Sequence, residues 1–369
     1  MRKIKVLQIP IYDMGGVNSY VLKNWEFIDK SRFQFDFATL SKQPLDFEDR
    51  LKEQGCKVHY ISCYAEDNEQ KFIDELNAIL DEGYDAIHIH TSLWRGFLIE
   101  HIAMERKIPI VIVHAHSTGV HINNKEERER VTLAHNKNRA EFSERLATHF
   151  CACSKAAADW IFGEQIQRDK IILLNNAIDL DEFSYKPDIR DEYRKKLNLE
   201  NAFVIGWVGR MCYPKNPEMI IDIFNGVCKD VPNAKLLLAG DGELREAVEN
   251  KINNYGIAYK VLILGNRSDV PALLQAMDVF ILPSRFEGLS FTLIESQTAG
   301  LKCLTSEYVP KEAKITSNLE FLPYNTKIWV DKIVEIANNP YPRNDMSKDV
   351  VKAGYSIREQ VKILEKIYG

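Results

Sequence analysis

Short apolar runs recur along the first half of the chain, and the segments between them carry apolar residues at helical spacing. The runs are Lys3–Pro10, Phe33–Thr39, Lys57–Ile61 and Ala86–His90. Because continuous apolar runs bounded by turn residues are typical of buried parallel strands, each run predicts a strand. Strands that alternate with helical segments indicate βαβ units. The first half therefore predicts a parallel sheet with crossover helices.

The same alternation restarts in the second half after a charged segment of mixed sign, 184–200, which is typical of a linker and a solvated helix. The later strands are predicted at Phe203–Gly209, Lys235–Gly242, Val261–Gly265, Met277–Leu282 and Lys302–Ser306. A chain of 369 residues is also too long for one ordinary core. The pattern therefore predicts an α/β protein with two domains, each built on a parallel, doubly wound sheet.

Composition narrows the class of protein. The chain is 45% hydrophobic and 27% charged, as in ordinary globular domains, and its net charge of −5 argues against a nucleic-acid partner. No apolar run approaches the ~18 residues of a membrane-spanning helix. The seven Cys have no regular spacing, which predicts reduced thiols and a cytoplasmic location.

The segment Met277–Gly300 carries the most informative chemistry. A strand is followed by a Pro- and Gly-containing loop and by a helix for which Ser290 is a suitable N-cap. Glu287 lies just ahead of that helix, and Glu295 lies roughly 7 Å along its axis. The backbone N–H groups of a helix N-terminus favour an anion. This order predicts a site for a sugar, a diphosphate and a ribose, whereas an isolated Glu pair would be a solvated helix face.

A second charged pair follows the strand Phe203–Gly209. Arg210 lies at the exit of the strand, and Lys215 lies just before a helix that Pro217 would begin. Both positions belong to the carboxyl edge of the predicted sheet, where ligands bind in such folds. Arg grips phosphate oxygens with two parallel hydrogen bonds and Lys acts as a point charge. The pair fits a diphosphate, although a single Arg and Lys are more often simply solvated.

Gly15 and Gly16 form a turn between the first strand and the first helix. Their sequence is not G-x-G-x-x-G, so a nicotinamide dinucleotide enzyme is not supported. A glycine pair still lets backbone N–H groups approach a phosphate closely, although it is equally often only a tight turn.

Four histidines occur in two pairs at period two, His88 with His90 and His114 with His116, each at the end of an apolar strand. A metal site would need further ligands at defined spacing, and the sequence offers none. We therefore predict no metal, and backbone hydrogen bonds for His88 and His114. His116 and, more weakly, His90 remain candidates for contact with a ligand.

These motifs together resemble the family 4 retaining glycosyltransferases, which have the GT-B architecture of two facing Rossmann-like domains with a cleft between them. FEGLSFTLIESQTAG is similar to the family's Glu-x7-Glu signature, and VGR followed by KN is similar to its diphosphate clamp. The segment LLNNAIDLDEF (173–183) resembles the phrase at the family's domain boundary, with Asn175 and Ala177 in place of the usual Pro and Gly. The resemblance implies an N-terminal acceptor-side domain, 1–178 plus a returning helix 355–369, and a nucleotide-sugar domain, 179–354.

The resemblance also assigns roles to individual residues. Four residues are implied in catalysis: Glu287, Lys215, Arg210 and His116. Residues implied in donor binding are Gly15, Gly16, Arg210, Lys215, Arg267, Glu287, Gly288, Leu289, Ser290 and Glu295. His116 would reach the donor sugar and phosphate from the first domain, and Arg267 would border the nucleotide base.

The implied function is transfer of a sugar from a nucleoside-diphosphate sugar, UDP-linked by expectation, to a glycan or polyprenyl-linked acceptor in bacterial capsule, exopolysaccharide or lipopolysaccharide assembly. No metal and no cofactor is expected, because Arg and Lys would replace a divalent cation. The helical segment 125–145 is nearly neutral, which leaves weak peripheral contact with the inner membrane face open. The alternatives are a UDP-sugar 2-epimerase of GT-B shape and a non-catalytic sugar-nucleotide-binding subunit.

Overall fold

The structure is a computed structural model that describes residues 2–13, 15–120, 122 and 124–369. It divides into two compact units. Unit 1 comprises Met1–Val120, Asn124–Ala177 and Ile357–Gly369, and unit 2 is formed mainly by Ile178–Ser356. The structure divides the chain after residues 177 and 356, and the sequence predicts domain boundaries after residues 178 and 354.

The described part of unit 1 contains a seven-stranded parallel sheet in the order β3-β2-β1-β4-β5-β6-β7. Its strands are β1 (Ile4–Ile11), β2 (Phe33–Thr39), β3 (Val58–Tyr60), β4 (Ala86–Thr91), β5 (Ile110–Ala115), β6 (His149–Ala152) and β7 (Ile171–Leu173). Its helices before unit 2 are α1 (Gly16–Phe27), α2 (Glu48–Glu53), α3 (Glu69–Leu80), α4 (Leu98–Glu105), α5 (Lys125–Glu141) and α6 (Lys155–Ile161).

Unit 2 contains, within its described residues, a six-stranded parallel sheet in the order β10-β9-β8-β11-β12-β13. The strands are β8 (Phe203–Val208), β9 (Ala234–Ala239), β10 (Val261–Ile263), β11 (Val279–Leu282), β12 (Lys302–Ser306) and β13 (Leu319–Leu322). The helices are α7 (Leu180–Phe183), α8 (Pro187–Lys196), α9 (Pro217–Val227), α10 (Arg245–Asn254), α11 (Val270–Ala276), α12 (Phe291–Thr298), α13 (Thr326–Asn338) and α14 (Ser347–Lys352). A last helix, α15 (Ile357–Tyr368), belongs to unit 1.

The two strand orders confirm the predicted α/β class with doubly wound parallel sheets. In each unit the direction of winding reverses once, between β1 and β4 in unit 1 and between β8 and β11 in unit 2. Ligands of open α/β sheets bind outside the carboxyl ends of the strands at such a reversal. The loops that follow β1, β4, β8 and β11 are therefore the places to look for a site.

Continuous apolar strands are buried on both faces, as parallel sheets require. β4 is buried along its whole length, and so is β11. Gly206 on β8 illustrates the close packing, since a Cβ there would lie 2.0 Å from Sδ of Met277. Such dense packing fixes the strand ends, and with them the loops that carry the polar residues.

α15 packs against α1 within unit 1 and brings the end of the chain under the sheet. Tyr368 is fully buried there, with its ring edge-on to Phe35 at a centroid distance of 5.7 Å. Its hydroxyl lies among polar side chains of β1 and β4. Among the described helices, none combines the length and the apolar character needed to cross a bilayer.

Candidate active site

The loop after β8 is held in place by Asn216. This residue adopts a left-handed backbone conformation (φ 53°), which Asn tolerates better than most residues, and it is buried. Its side-chain amide donates to the carbonyl of Pro283 at 3.3 Å and to the hydroxyl of Tyr324 at 2.5 Å. Pro217 follows as the first residue of α9. The amide thereby ties the loop after β8 to the loop after β11.

Arg285 makes a second connection between these two loops. Its backbone N–H donates to the carbonyl of Pro214 at 2.7 Å, and its guanidinium donates to the carbonyl of Tyr213 at 2.7 Å. The guanidinium also lies 4.3 Å from the centre of the Tyr213 ring. Sequence reasoning missed Arg285, because its partners are backbone carbonyls of another loop and leave no motif. A cationic side chain one residue from the signature Phe286-Glu287-Gly288 was the available signal.

Lys215 and Glu287 meet at this junction. Nζ of Lys215 lies 2.6 Å from Oε1 of Glu287, and the hydroxyl of Ser284 donates to the same oxygen at 2.7 Å. The side chain of Glu287 is 8% exposed and that of Lys215 is 20% exposed. A charge buried to this degree needs a partner, and each of these residues supplies the other's. The structure thus brings together two residues that are 72 positions apart in the sequence.

The residues between Glu287 and Glu295 form the start of α12. Gly288 precedes Leu289 and Ser290, both of which are buried, and α12 begins directly after Ser290, as predicted. The hydroxyl of Ser290 bonds with the hydroxyl of Thr292 at 3.0 Å and makes no capping bond to a helix N–H. Glu295 lies in the second turn of the helix and is half-buried. A partly buried carboxylate at this position is accessible to a ligand hydroxyl.

Arg210 has a different setting from Lys215. Its side chain is 68% exposed and its guanidinium lies 3.3 Å from the carboxylate of Glu243, in the loop after β9. Gly240 and Gly242 hold that loop close, since a Cβ on Gly242 would lie 2.5 Å from the carbonyl oxygen of Met211. The glycines, with φ of 133° and 156°, are needed for close approach between loops.

Arg267 forms a two-pronged ion pair with Asp269, with distances of 2.8 Å from Nε and 2.5 Å from Nη2. Tyr193 donates to the same carboxylate at 2.9 Å. The ion pair and the hydrogen bond lower the pKa of Asp269 to about 2. The pair fixes the plane of the guanidinium beside the loop after β10.

In unit 1, Gly15 precedes α1 with φ of 121°, a conformation that side chains disfavour. A Cβ there would have no atom within 4 Å, so the backbone conformation and not crowding requires glycine. Gly16 is the first residue of α1. The glycine turn therefore begins a helix at the winding reversal between β1 and β4, and its role in anion binding stays a prediction.

His116 lies just beyond β5 and is half-buried. Its Nε2 lies 2.9 Å from Nδ1 of His90, and Nε2 of His90 lies 2.8 Å from the side-chain oxygen of Gln8. Because the amide oxygen can only accept, Nε2 of His90 carries a proton and its Nδ1 accepts from Nε2–H of His116. Burial lowers the pKa of His116 to about 3, and burial also lowers the pKa of His90 well below its ordinary value, so both are neutral. No described residue bonds to Nδ1 of His116, which keeps an acceptor lone pair.

The chain of hydrogen bonds continues from Gln8 to the last helix. The amide of Gln8 donates to the hydroxyl of Tyr368 at 3.2 Å, and that hydroxyl lies 2.6 Å from Nδ1 of His88. Nε2 of His88 lies 3.1 Å from Nδ1 of His114. The expectation that His88 and His114 bond to the backbone is therefore wrong, since their partners are side chains. Period two places them on one face of adjacent strands, where they meet each other.

One nitrogen from each of His88, His90 and His114 lies within 4.8 Å of the others, which is spacing suited to a metal ion. Both ring nitrogens of His88 and of His90, and Nδ1 of His114, make the hydrogen bonds described above. The prediction that no metal is bound stays a prediction.

Comparison with known proteins agrees with this geometry. Residues 15–177 match the family model of the glycosyl transferase 4-like domain, and residues 189–355 match that of glycosyl transferases group 1. The chain is 27% identical to EpsF of Bacillus subtilis, provisionally named a glycosyltransferase, over 96% of this chain and 93% of EpsF. It is 25% identical to the UDP-Gal:α-D-GlcNAc-diphosphoundecaprenol α-1,3-galactosyltransferase of Escherichia coli, over 99% of this chain and 97% of that enzyme.

A solved structure shares the fold. HepE of Anabaena, in a crystal structure with UDP and glucose, superposes with a TM-score of 0.78 at 15% identity and covers 99% of both chains. The two family models together span both units, from the glycine turn of unit 1 to the end of unit 2. The chain therefore belongs to the family 4 glycosyltransferases of the GT-B fold.

Proposed function

We propose that this glycosyltransferase transfers a sugar from a UDP-linked donor, with retention of configuration, to a glycan or polyprenyl-linked acceptor. The observation that carries the proposal is the pair of Lys215 and Glu287, 2.6 Å apart. The pair lies at the winding reversal of the unit 2 sheet, directly ahead of α12. A cation, a carboxylate and a helix N-terminus, brought together by the loops after β8 and β11, suit a sugar joined to a diphosphate.

The positively charged residues of the site would stabilise the leaving group. Breaking the bond between the anomeric carbon and oxygen leaves its electron pair, and so negative charge, on the diphosphate. Lys215 is held in position before the donor arrives, so its ammonium can stabilise this charge without reorganising. The N–H groups at the start of α12, near Leu289 and Ser290, would add fixed positive dipoles. Arg210, with its exposed side chain, would close on the diphosphate when the donor binds.

The carboxylate of Glu287 would bind the donor sugar. Glu287 would accept hydrogen bonds from donor-sugar hydroxyls, and its charge would favour the positive character of the ring as the bond breaks. Oε1 of Glu287 already accepts from Lys215 and Ser284. Hydrogen bonds to a carboxylate oxygen reduce its nucleophilicity, which supports an electrostatic role and entry of the acceptor on the face that the diphosphate leaves.

The remaining predicted residues would position the donor. Glu295 would accept from the ribose hydroxyls, and Arg267, fixed by Asp269, would border the base. Gly15 and Gly16 would present backbone N–H groups to the diphosphate. His116, neutral and with Nδ1 as an acceptor, would take a hydrogen bond from a sugar hydroxyl.

The names of similar proteins support the choice of substrates. The E. coli relative is named for a UDP-linked donor, an acceptor on diphosphoundecaprenol and an α-1,3 product. A relative from Staphylococcus aureus, 22% identical over 79% of this chain, is named for capsular polysaccharide biosynthesis. These names support a place in bacterial surface polysaccharide assembly, with a lipid-linked acceptor at the inner face of the membrane.

Two further parts of the proposal concern metal ions and the membrane. We propose that it needs no metal ion, since Lys215 and Arg210 would supply the positive charge, and turnover should survive excess EDTA. α5 is nearly neutral and lacks the basic amphipathic face that would attract an anionic membrane. Any weak peripheral contact with the membrane would therefore come through the lipid-linked acceptor. Co-sedimentation with anionic vesicles should therefore need the lipid-linked acceptor.

A donor screen tests the proposal. UDP-, GDP-, ADP- and dTDP-sugars are compared by thermal shift, because a ligand that binds the folded form raises its stability. The donor that binds is incubated with a polyprenyl-diphosphate glycan, and the anomeric configuration of the product is read by NMR. We expect a UDP-sugar and an α product. Complete conversion of the donor to its 2-epimer without acceptor would contradict transfer, and an inverted product would contradict retention.

A further inference from the structure

Unit 1 contains a cavity that none of the predicted donor-binding residues lines. Its volume is about 350 Å³, and it opens at the carboxyl ends of β1, β2 and β4. The walls are mostly apolar or aromatic and include Val17, Leu40, Phe72, Trp94 and Ile99. A cavity of this volume is at the small end of ligand sites and suits one sugar ring. Its position at the winding reversal is that of a ligand site in this class of sheet.

One buried carboxyl group lines this apolar cavity. Glu100, in the first turn of α4, is 3% exposed. No described side chain bonds to its carboxyl group, which accepts from the backbone N–H of Glu100 itself. Burial raises the pKa of Glu100 to about 7. A polar group placed so, without a side-chain partner, costs stability and therefore points to a ligand that supplies the partner.

The mouth of the cavity carries two partly exposed tyrosines. Tyr12 and Tyr64 both line the cavity, and they are 38% and 42% exposed. Two aromatic rings at the edge of the cavity offer an apolar surface for the C–H face of a pyranose. Beside them the guanidinium of Arg95 lies 3.7 Å from the carboxylate of Glu66, so the charge of Arg95 is already compensated.

His90 connects this cavity to the predicted donor-sugar contact. It lines the cavity and bonds to His116 at 2.9 Å within the same unit. A sugar in the cavity would thus lie one side chain away from the residue that we assign to the donor sugar. Adjacent subsites are what transfer between two sugars requires.

We propose that this cavity binds the terminal, uncharged pyranose of the acceptor, with Tyr12 and Tyr64 against one face of the ring and Glu100 bonded to its hydroxyl or amide groups. The inference rests on the proposed function. It excludes uronic acids and phosphosugars, because Glu66 and Glu100 would repel an anion and Arg95 is paired. The donor nucleotide is excluded on the same ground, since its diphosphate would meet no uncompensated cation here.

The ionisable groups around the cavity are Tyr12, Tyr64, Glu66, His90 and Arg95. None of them is among the causes of the altered pKa of Glu100, which come from burial and its own N–H. Replacing Glu100 by Gln therefore changes one group without changing the charge state of its neighbours.

The test uses the full chain with 4-nitrophenyl glycosides of glucose, galactose, N-acetylglucosamine and glucuronic acid, each titrated at fixed donor. We expect neutral glycosides to saturate the enzyme and the glucuronide not to bind. Glu100→Gln should raise the KM for the neutral glycoside about 10- to 100-fold, as loss of a hydrogen bond to a charged group does, and leave the affinity for UDP unchanged. Glu105→Gln makes the same change on the exposed end of α4 and should leave both constants unaltered.

Tyr64→Leu provides a second variant at a partly exposed position, and it should raise the same KM while UDP binding persists. Equal KM values for wild type, Glu100→Gln and Tyr64→Leu would overturn the inference, as would preferred binding of the glucuronide or competition between UDP and the neutral glycoside for the cavity. Failure of the proposed function looks different. In that case UDP and UDP-sugars would not bind the wild-type chain, whatever the glycosides do.

Discussion

Glu100 gives the sharpest quantitative prediction, because its effect on stability has a sign and a pH range. Its pKa is about 7 in the folded chain against an ordinary value of 4.5. Below pH 4.5 the carboxyl is protonated in both the folded and the unfolded chain, so its burial has no ionic cost. Above that pH the unfolded chain ionises more readily, and the free energy of unfolding falls until the pH passes 7.

The magnitude follows from the two pKa values. At pH 5 the ionic cost of burying Glu100 is about 0.8 kcal/mol, and at pH 8 it is about 3.3 kcal/mol. Glu100→Gln removes this cost and adds a constant term for the buried amide. The constant term cancels when the two pH values are compared, so the variant should gain about 2.5 kcal/mol relative to wild type between pH 5 and pH 8.

Differential scanning calorimetry at the two pH values measures this change. A gain of that size corresponds to about 5–10 °C in the melting temperature of a domain of this length, and it should appear in the transition of unit 1. Glu105→Gln, exposed on the same helix, should show no difference between the two pH values. A relative change below about 1 °C for Glu100→Gln would refute the reasoning, because the carboxyl would then ionise as readily in the folded chain as in the unfolded chain.

Four other predictions concern the donor site and its supports. Lys215→Ala should lower turnover on the order of 10²- to 10³-fold, as loss of one donor to a developing anion does, and wild-type turnover at saturating donor would remove Lys215 from the mechanism. Glu295→Ala should weaken UDP binding in calorimetry more than it slows turnover, and unchanged affinity would contradict its assignment to the ribose. Arg285→Ala should weaken donor binding by freeing the loop after β8, because it removes the hydrogen bond to the carbonyl of Tyr213, and an unaltered donor KM would show that the loop holds without it. Tyr368→Phe leaves two buried polar partners unsatisfied and should lower the free energy of unfolding by about 1–3 kcal/mol, whereas Tyr255→Phe at the surface should cost far less in the same urea titration.

The fold could be predicted from the sequence because its signals are local. Strands such as Lys302–Ser306 coincide with their apolar runs, and α12 begins directly after Ser290, its predicted N-cap. The edge strands β7 and β13 were not predicted. They are short, and they carry exposed residues such as Leu173 and Glu320 among the apolar ones, so their runs are too weak to stand out.

The candidate site was predictable only in part, for a physical reason. Charged residues that belong to a motif, such as Lys215 and Glu287, can be identified in the sequence by residue type and spacing. Their mutual contact depends on two loops being joined, and the joining groups, Asn216 and Arg285, act on backbone carbonyls that have no sequence signature. The buried carboxyl of Glu100 has even less signal, because a single Glu in a helix is ordinarily solvated.

The hydrogen bonds that link His116, His90, Gln8 and Tyr368 connect residues from opposite ends of the sequence. Gln8 on β1 bonds through its oxygen to His90 and through its amide to Tyr368, which is 360 residues away. Because an amide has one acceptor side and one donor side, its orientation sets the tautomer of His90 and, through it, that of His116. The last helix therefore contributes to the orientation of His90 and His116, since the hydroxyl of Tyr368 keeps the Gln8 amide from turning over. If α15 only covered the sheet, any helix with an apolar face could replace it. Because the hydroxyl of Tyr368 on α15 holds Gln8 in place, a helix without that hydroxyl could not.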